Sequence, residues 1–197
     1  MTSPLVEGQD RTDMARLKGG HEAALNDLME RHGTRLFQYL IRALQNEDEA
    51  ADLAQETFVR VYQNRAKFDP RQKFSTWLFA IASNLVKDFY RHRARHPQVS
   101  LDAENERTGS DFGGQLTDSS STPSESLQAS ERAEAVRKAV ASLPEELRTP
   151  LILAEYEERS QAEIGDIIGC SAKAVEMRIY RARKQLREML GALVQQP

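Results

Sequence analysis

"SQAEIGDIIGCSAKAVEMRIYRARKQL", from Ser160 to Leu186, decides how this chain is read. Ser160 followed three residues later by Glu163 is the pattern of a capping box, which opens a helix. That helix runs through Ile168. Gly169 ends it, because glycine enters the left-handed conformation of a C-terminal cap without steric cost. Ser171 is then placed to cap a longer helix that reaches about Leu190. A short helix, a glycine turn and a longer second helix have the spacing of a helix-turn-helix. Ile164, Ile168, Val175 and Ile179 fall on faces that meet, and the small Gly165 lets the two helices approach closely. In such a unit the second helix enters the DNA major groove. Its first turns, with Ser171, Ala172, Lys173, Ala174, Glu176 and Met177, face base edges; Arg178, Arg181, Arg183 and Lys184 meet phosphates or flank the groove. A basic helix alone also reads as a solvated face or as a complement to the helix dipole. The capped first helix, the glycine turn and the apolar spacing together favour the DNA reading.

This cationic helix sits in an acidic chain. The 27 Lys and Arg against 30 Asp and Glu give a net charge of -3, so affinity for nucleic acid has to come from a local patch. The 197 residues suit one ordinary domain or two small ones, and 40% hydrophobic with 29% charged residues fits a water-soluble globular chain. The single cysteine, Cys170, excludes an internal disulfide and a cysteine-based zinc cluster. It falls where a helix-turn-helix core takes a small apolar residue. No apolar run has the length of a membrane helix, and "MTSPLVEGQDRTD" lacks the basic start and apolar core of a secretory signal. The expected compartment is the cytoplasm, with no membrane insertion. No Ser/His/Asp grouping, glycine-rich phosphate loop or metal-ligand cluster stands out, so neither an enzyme nor a metal or other cofactor is expected.

The rest of the chain reads as all-α, in two small helical domains joined by a flexible acidic linker. The first domain spans 10–96. "EAALNDLMERHGTRLFQYLIRAL" and "NEDEAADLAQETFVRVYQNRAKF" carry apolar residues at helical period, and Asn46 before an acidic run favours a helix start. "FDPRQKF", from Phe68 to Phe74, is a loop because Pro70 is excluded from helix interiors. Ser75 is placed to cap the helix "TWLFAIASNLVKDFYRHRARH", which Pro97 ends. Residues 97–128 are rich in Ser, Thr, Gly and Asp and too poor in apolar residues to fold alone, hence the linker. The second domain spans 129–192. It opens with "ASERAEAVRKAVASL" and continues with a helix for which Pro144 suits the first position; Pro150 bends or shortens that helix.

A second basic region interleaves Arg71, Lys73, Lys87, Arg91, Arg93 and Arg95 with Phe74, Trp77, Phe79, Phe89 and Tyr90. Cations beside aromatics suit unpaired bases. For Trp77, followed by Leu78 and Ile81, core packing is the better reading, and the preceding loop is the better base pocket.

With these residues in view the chain resembles the sigma factors of bacterial RNA polymerase, in particular the extracytoplasmic-function (ECF) group that keeps only regions 2 and 4. "DEAADLAQETFVRVY" resembles region 2.2, "KFSTWLFAIASNLVKDFYRHRAR" regions 2.3 and 2.4, and "LPEELRTPLILAEYEERSQAEIGDIIGCSAKAVEMRIYRARKQL" region 4. The resemblance implies an alternative sigma factor that binds core polymerase, recognises the −10 and −35 promoter elements and promotes melting. It implies that Asp48, Asp52, Gln55, Glu56 and Phe58 meet the clamp helices of the largest polymerase subunit, with core packing the alternative for Phe58. It implies that Lys67, Arg71, Lys73 and Phe74 of the loop, with Asn84, capture a flipped −10 base, and that Lys87, Arg91 and Arg93 track the melted strand or the duplex upstream. It assigns the −35 element to Ser171, Ala172, Lys173, Glu176, Met177, Arg178, Arg181, Arg183 and Lys184. The implied partners are core polymerase (clamp helices and flap), promoter DNA and an anti-sigma factor. Gln161 stands where the family often has an aromatic residue and Gly165 where alanine is usual. Two other classes remain: a stand-alone helix-turn-helix regulator, which leaves the motifs of residues 48–95 unexplained, and an enzyme.

Overall fold

The computed structural model describes residues 4–96 and 123–194, and only the backbone for 123–129 and 192–194. The regular structure among these residues is all helical, with no strand: α1 (Pro4–Lys18), α2 (Ala23–Leu44), α3 (Glu47–Gln63), a 3-10 turn (Arg65–Lys67), α4 (Phe74–Arg95), α5 (Pro123–Ser142), α6 (Glu145–Glu155), α7 (Gln161–Ile168) and α8 (Ala172–Val194). The expected flexible linker lies mostly outside the described residues. Its last part, 123–128, is instead the start of α5, for which Pro123 provides a first-turn residue with no amide to satisfy.

The first bundle packs α1 to α4 around Leu28, Leu36, Tyr39, Leu40, Leu78 and Phe79, all fully buried. Each such aliphatic side chain contributes about 1.5–3 kcal/mol on leaving water. The second packs α5 to α8 around Ile152, Leu153, Ile164, Val175 and Ala182. α6 continues past Pro150 to Glu155: the proline removes one backbone bond without ending the helix. Asn46 caps α3 by accepting from the Glu49 amide at 3.0 Å.

Two local expectations are corrected. Ser75 does not cap α4; the helix begins at Phe74, and the buried Ser75 hydroxyl accepts instead from Arg159 of the second bundle at 3.1 Å. The N-terminal helix α1 had no place in the sequence reading before Asp10. Its inner face carries Met14 and Leu17 but also Asp10 and Asp13, both buried, which breaks the apolar pattern.

The two bundles are packed on each other, α6 against α2 and α7 against α4. Apolar residues of both bundles join in one continuous core, and ionic and cation–aromatic contacts lie beside it. Arg35 donates to the Glu157 carboxylate at 2.5 Å and to its backbone carbonyl at 2.8 Å. Arg42 lies over the Tyr156 ring at 4.5 Å, Arg148 over Tyr90 at 4.8 Å and Arg159 over Phe79 at 5.2 Å. Burial holds the Glu157 carboxyl above its ordinary value, partly offset by Arg35, and holds the Arg159 guanidinium below its own. Arg159 Nε and Nη2 are buried without a hydrogen-bond partner.

Candidate nucleic-acid interface

Local chemistry shapes the helix-turn-helix. The Ser160 hydroxyl accepts from the Glu163 amide at 3.2 Å, and the Glu163 carboxylate accepts from the Ser160 amide at 3.1 Å, a complete capping box. Gly169 closes α7 at φ 73°, in the left-handed region. The Cys170 amide returns to the Gly165 carbonyl at 3.0 Å. A Cβ on Gly165 would stand 2.5 Å from the Cys170 carbonyl oxygen, so the turn is folded down onto a glycine that has no room for a side chain. Ser171 caps α8 by accepting from the Ala174 amide at 3.2 Å.

Val175, Ile179 and Ala182 point α8 into the core. Ser171, Ala172, Lys173, Glu176, Met177, Arg181, Arg183 and Lys184 are exposed and Arg178 is half-buried, so the assigned residues share the outer surface. Their charges are not equivalent. Lys173 is bonded to Glu176 at 2.8 Å, and Arg183 reaches Glu155 of α6 at 2.5 Å. Arg178, Arg181 and Lys184 have no ion-pair partner among the described residues. The sequence reading missed Tyr180, 61% exposed and one turn beyond Met177. Its signal was the i, i+3 spacing on the outward face.

The loop between the 3-10 turn and α4 is held by its own polar groups. The Asp69 carboxylate accepts from the Arg71 amide at 2.9 Å and from its guanidinium at 2.7 Å. Those bonds hold Asp69 low, at about 2. The Gln72 amide bonds the Asp69 carbonyl at 3.1 Å. Lys67 and Arg71 are exposed, whereas Phe74 is 2% exposed and packs in a cluster with Phe68, Trp77 and His32. The aromatic floor of the loop is therefore core, Phe74 included. Lys73 is held by Glu163 of α7 at 3.1 Å and by Glu7 of α1 at 3.2 Å, which keep its ammonium above the ordinary lysine value. Asn84, Lys87, Arg91 and Arg93 are exposed along α4, with Arg91 paired to Asp88 at 3.0 Å.

On α3, Asp48, Asp52 and Gln55 are exposed and Glu56 is half-buried, bonded to Arg60 at 2.8 Å. Phe58 faces the core at 5% exposure, since its position on the helical period is the one shared with Ala50 and Val61.

No helix among the described residues is long and apolar enough to cross a membrane. The sigma-70 region 2 family model matches residues 28–96, and the sigma-70 region 4 family model matches residues 133–186. The ECF RNA polymerase sigma factor SigW of Bacillus subtilis is 35% identical over 179 residues, 90% of this chain and 95% of that protein. Among solved structures, CnrH in complex with the cytosolic domain of CnrY superposes with a TM-score of 0.67 at 28% identity, over 93% of this chain and 98% of that one. The sigma factor RpoE of Bartonella quintana, solved with the anti-sigma factor NepR, shares the fold at a TM-score of 0.64 and 23% identity, over 84% of this chain and 96% of that one.

Proposed function

Since the chain belongs to the sigma-70 family of RNA polymerase sigma factors, in its ECF group, we propose a division of promoter recognition among the surfaces described above. As a sigma factor it joins core polymerase, recognises the −10 and −35 elements and promotes transcription initiation; it is a regulatory factor and leaves the chemistry to the polymerase.

α8 reads the −35 duplex. Ser171, Ala172, Lys173, Glu176 and Met177 meet base edges, and Arg178, Arg181 and Lys184 neutralise phosphates. Arg183 braces α8 against α6 through Glu155 and contacts DNA only after exchanging that partner. The loop of residues 67–73, with Asn84, receives a −10 base once it leaves the stack, and Lys87, Arg91 and Arg93 follow the single strand. Extruding a base costs a few kcal/mol, least where stacking is weak. The amide of Asn84 offers donors and an acceptor to a base edge. Asp48, Asp52, Gln55 and Glu56 present the acidic face that suits a basic polymerase surface; Phe58 and Phe74 support these surfaces from beneath.

The observation that carries this reading is the row of half-buried Arg178 and exposed Arg181 and Lys184 on the helix that follows the Gly165–Cys170 turn. The domains proposed are 10–96 for region 2 and 129–192 for region 4. Tethering makes the second DNA contact intramolecular. A protein antagonist is proposed as a further partner, of the kind whose name accompanies the RpoE structure.

Run-off transcription with purified bacterial core polymerase on a genomic fragment library tests the reading. Discrete new start sites that depend on this chain are expected, and their alignment gives both elements. A stable DNA complex formed as a dimer without polymerase, and no transcripts, would instead make it a stand-alone regulator.

A further inference from the structure

The N-terminal helix α1 lies outside the residues matched to region 2, yet it is fastened to that bundle more firmly than its sequence pattern explains. Met14 and Leu17 are fully buried. Between them and the helix start, the buried Asp10 carboxylate accepts from His32 Nε2 at 2.9 Å and from Arg31 Nε at 3.0 Å. A carboxylate only accepts, so Nε2 carries the proton of that bond. Asp13 accepts from Arg31 Nη2 at 2.6 Å and from Arg16 at 2.9 Å. An apolar face alone would allow α1 to slide or rotate on α2. A buried carboxylate with directional partners fixes one register, because any other leaves it uncompensated.

That register sets what the two ends of α1 reach. At its C-terminal end Lys18 Nζ donates to the Phe68 carbonyl at 2.5 Å, across 50 positions of sequence, and sits 5.8 Å from the Phe68 ring. Near its N-terminal end Glu7 accepts from Lys73 at 3.2 Å. Phe68 and Lys73 are the two ends of the loop that contains Asp69, Pro70, Arg71 and Gln72. The loop is thus spanned by a single helix that touches both its ends, and the buried carboxylates hold that helix in place.

We infer that α1 is a bracket for the −10 loop and that Lys18 is a positioning residue for base capture. This rests on the reading in which that loop receives the extruded base. Lys18 touches no base. It holds the Phe68 carbonyl, and so the start of the loop, in the shape that the base has to find. A loop shaped in advance spares the base the cost of ordering it.

The test uses the full chain with core polymerase on a promoter that the wild type transcribes. Permanganate reactivity of unpaired thymines follows strand opening over time. Lys18→Gln is expected to slow opening roughly tenfold, the factor carried by one charge-assisted hydrogen bond. Affinity for core polymerase and for the −35 duplex stays at the wild-type value. Lys18→Arg keeps a cationic donor and restores most of the rate. Arg71→Ala serves as the loop control. Wild-type opening by Lys18→Gln with slow opening by Arg71→Ala overturns the bracket and leaves the loop reading standing. Wild-type opening by both removes the loop reading and the bracket with it. Slow opening that tracks a fall in thermal stability, with no rescue by Lys18→Arg, also overturns the inference, because it marks a general structural role.

Discussion

Replacing Arg35 with alanine tests whether charge holds the two bundles together. The side chain donates to the Glu157 carboxylate at 2.5 Å and to the Glu157 carbonyl at 2.8 Å. The Glu157 side chain is 2% exposed and that of Arg35 35%. Removing one partner of a fully buried pair costs about 3–5 kcal/mol, because the other charge is stranded. Here two effects reduce that figure. Water reaches a third of Arg35 and screens the pair. Burial already pushes the Glu157 carboxyl upward, and Arg159 and Arg42 act on it too, so the stranded group either takes a proton or retains some cationic company. A loss of about 2 kcal/mol in domain packing remains, close to 30-fold in the equilibrium between packed and separated bundles. Dyes on Glu30→Cys and Gln185→Cys, both exposed positions on different bundles, report the distance in a Cys170→Ser background. The wild type is expected to show a single high-transfer population and Arg35→Ala a broad low-transfer one, with the melting of each bundle unchanged. An identical high-transfer population in Arg35→Ala would falsify the assignment of packing to this pair.

Packing is also expected to respond to pH. The Glu157 carboxyl is held above its ordinary 4.5 by burial, so packing takes up a proton. The packed state is strongest below that ordinary value and weakens as pH rises through the elevated one. Glu163 is held below 4.5, where bonds from Ser160 and Lys73 outweigh its burial, and so acts in the opposite sense only at still lower pH. In Arg35→Ala, where separated bundles are populated, the high-transfer population should therefore grow as pH falls toward 4.5, and adding Glu157→Gln should flatten the curve. Asn84→Ala is expected to impair promoter melting in the permanganate assay while core-polymerase affinity stays unchanged; a loss of core binding would remove Asn84 from the base pocket. Ser160→Ala removes half of the capping box and should cost about 1 kcal/mol, seen as faster hydrogen exchange at the Glu163 amide. Unchanged exchange there would mean that the turn, not the cap, holds α7.

Features set by neighbours in sequence were legible. The Ser160–Glu163 box, the Gly169 stop, the Ser171 cap and the Asn46 cap each depend on residues three or four apart, and each stands as read. What depended on distant partners was not. Ser75 has the chemistry of a cap but lies one residue inside the helix, where it meets Arg159, 84 positions away. α1 escaped notice because half of its inward face is carboxylate, a pattern that makes sense only beside Arg31 and His32. Spacing placed Val175 and Ile179 correctly inward. The same spacing argues for Phe58 and Phe74 as core, against the roles the family resemblance implied for them. On α8 the charge count was readable but the pairing was not: Arg183 and Lys184 are adjacent in sequence, and only Arg183 is bound to another helix.

The missing side chain at Gly165 has a consequence for anyone who recombines such factors. Recognition helices look like exchangeable cassettes, cut at the turn and spliced between relatives to rewrite promoter preference. In this chain the carbonyl of Cys170 occupies the space that an alanine methyl at 165 would need. A donor cassette cut at Gly169 would carry a turn made for glycine, and a host with alanine at the position of Gly165 would push that turn, and the helix beyond it, outward. The heritable unit is therefore larger than the helix that reads DNA. It begins at Gly165, and a graft that respects this boundary carries its own angle of presentation with it.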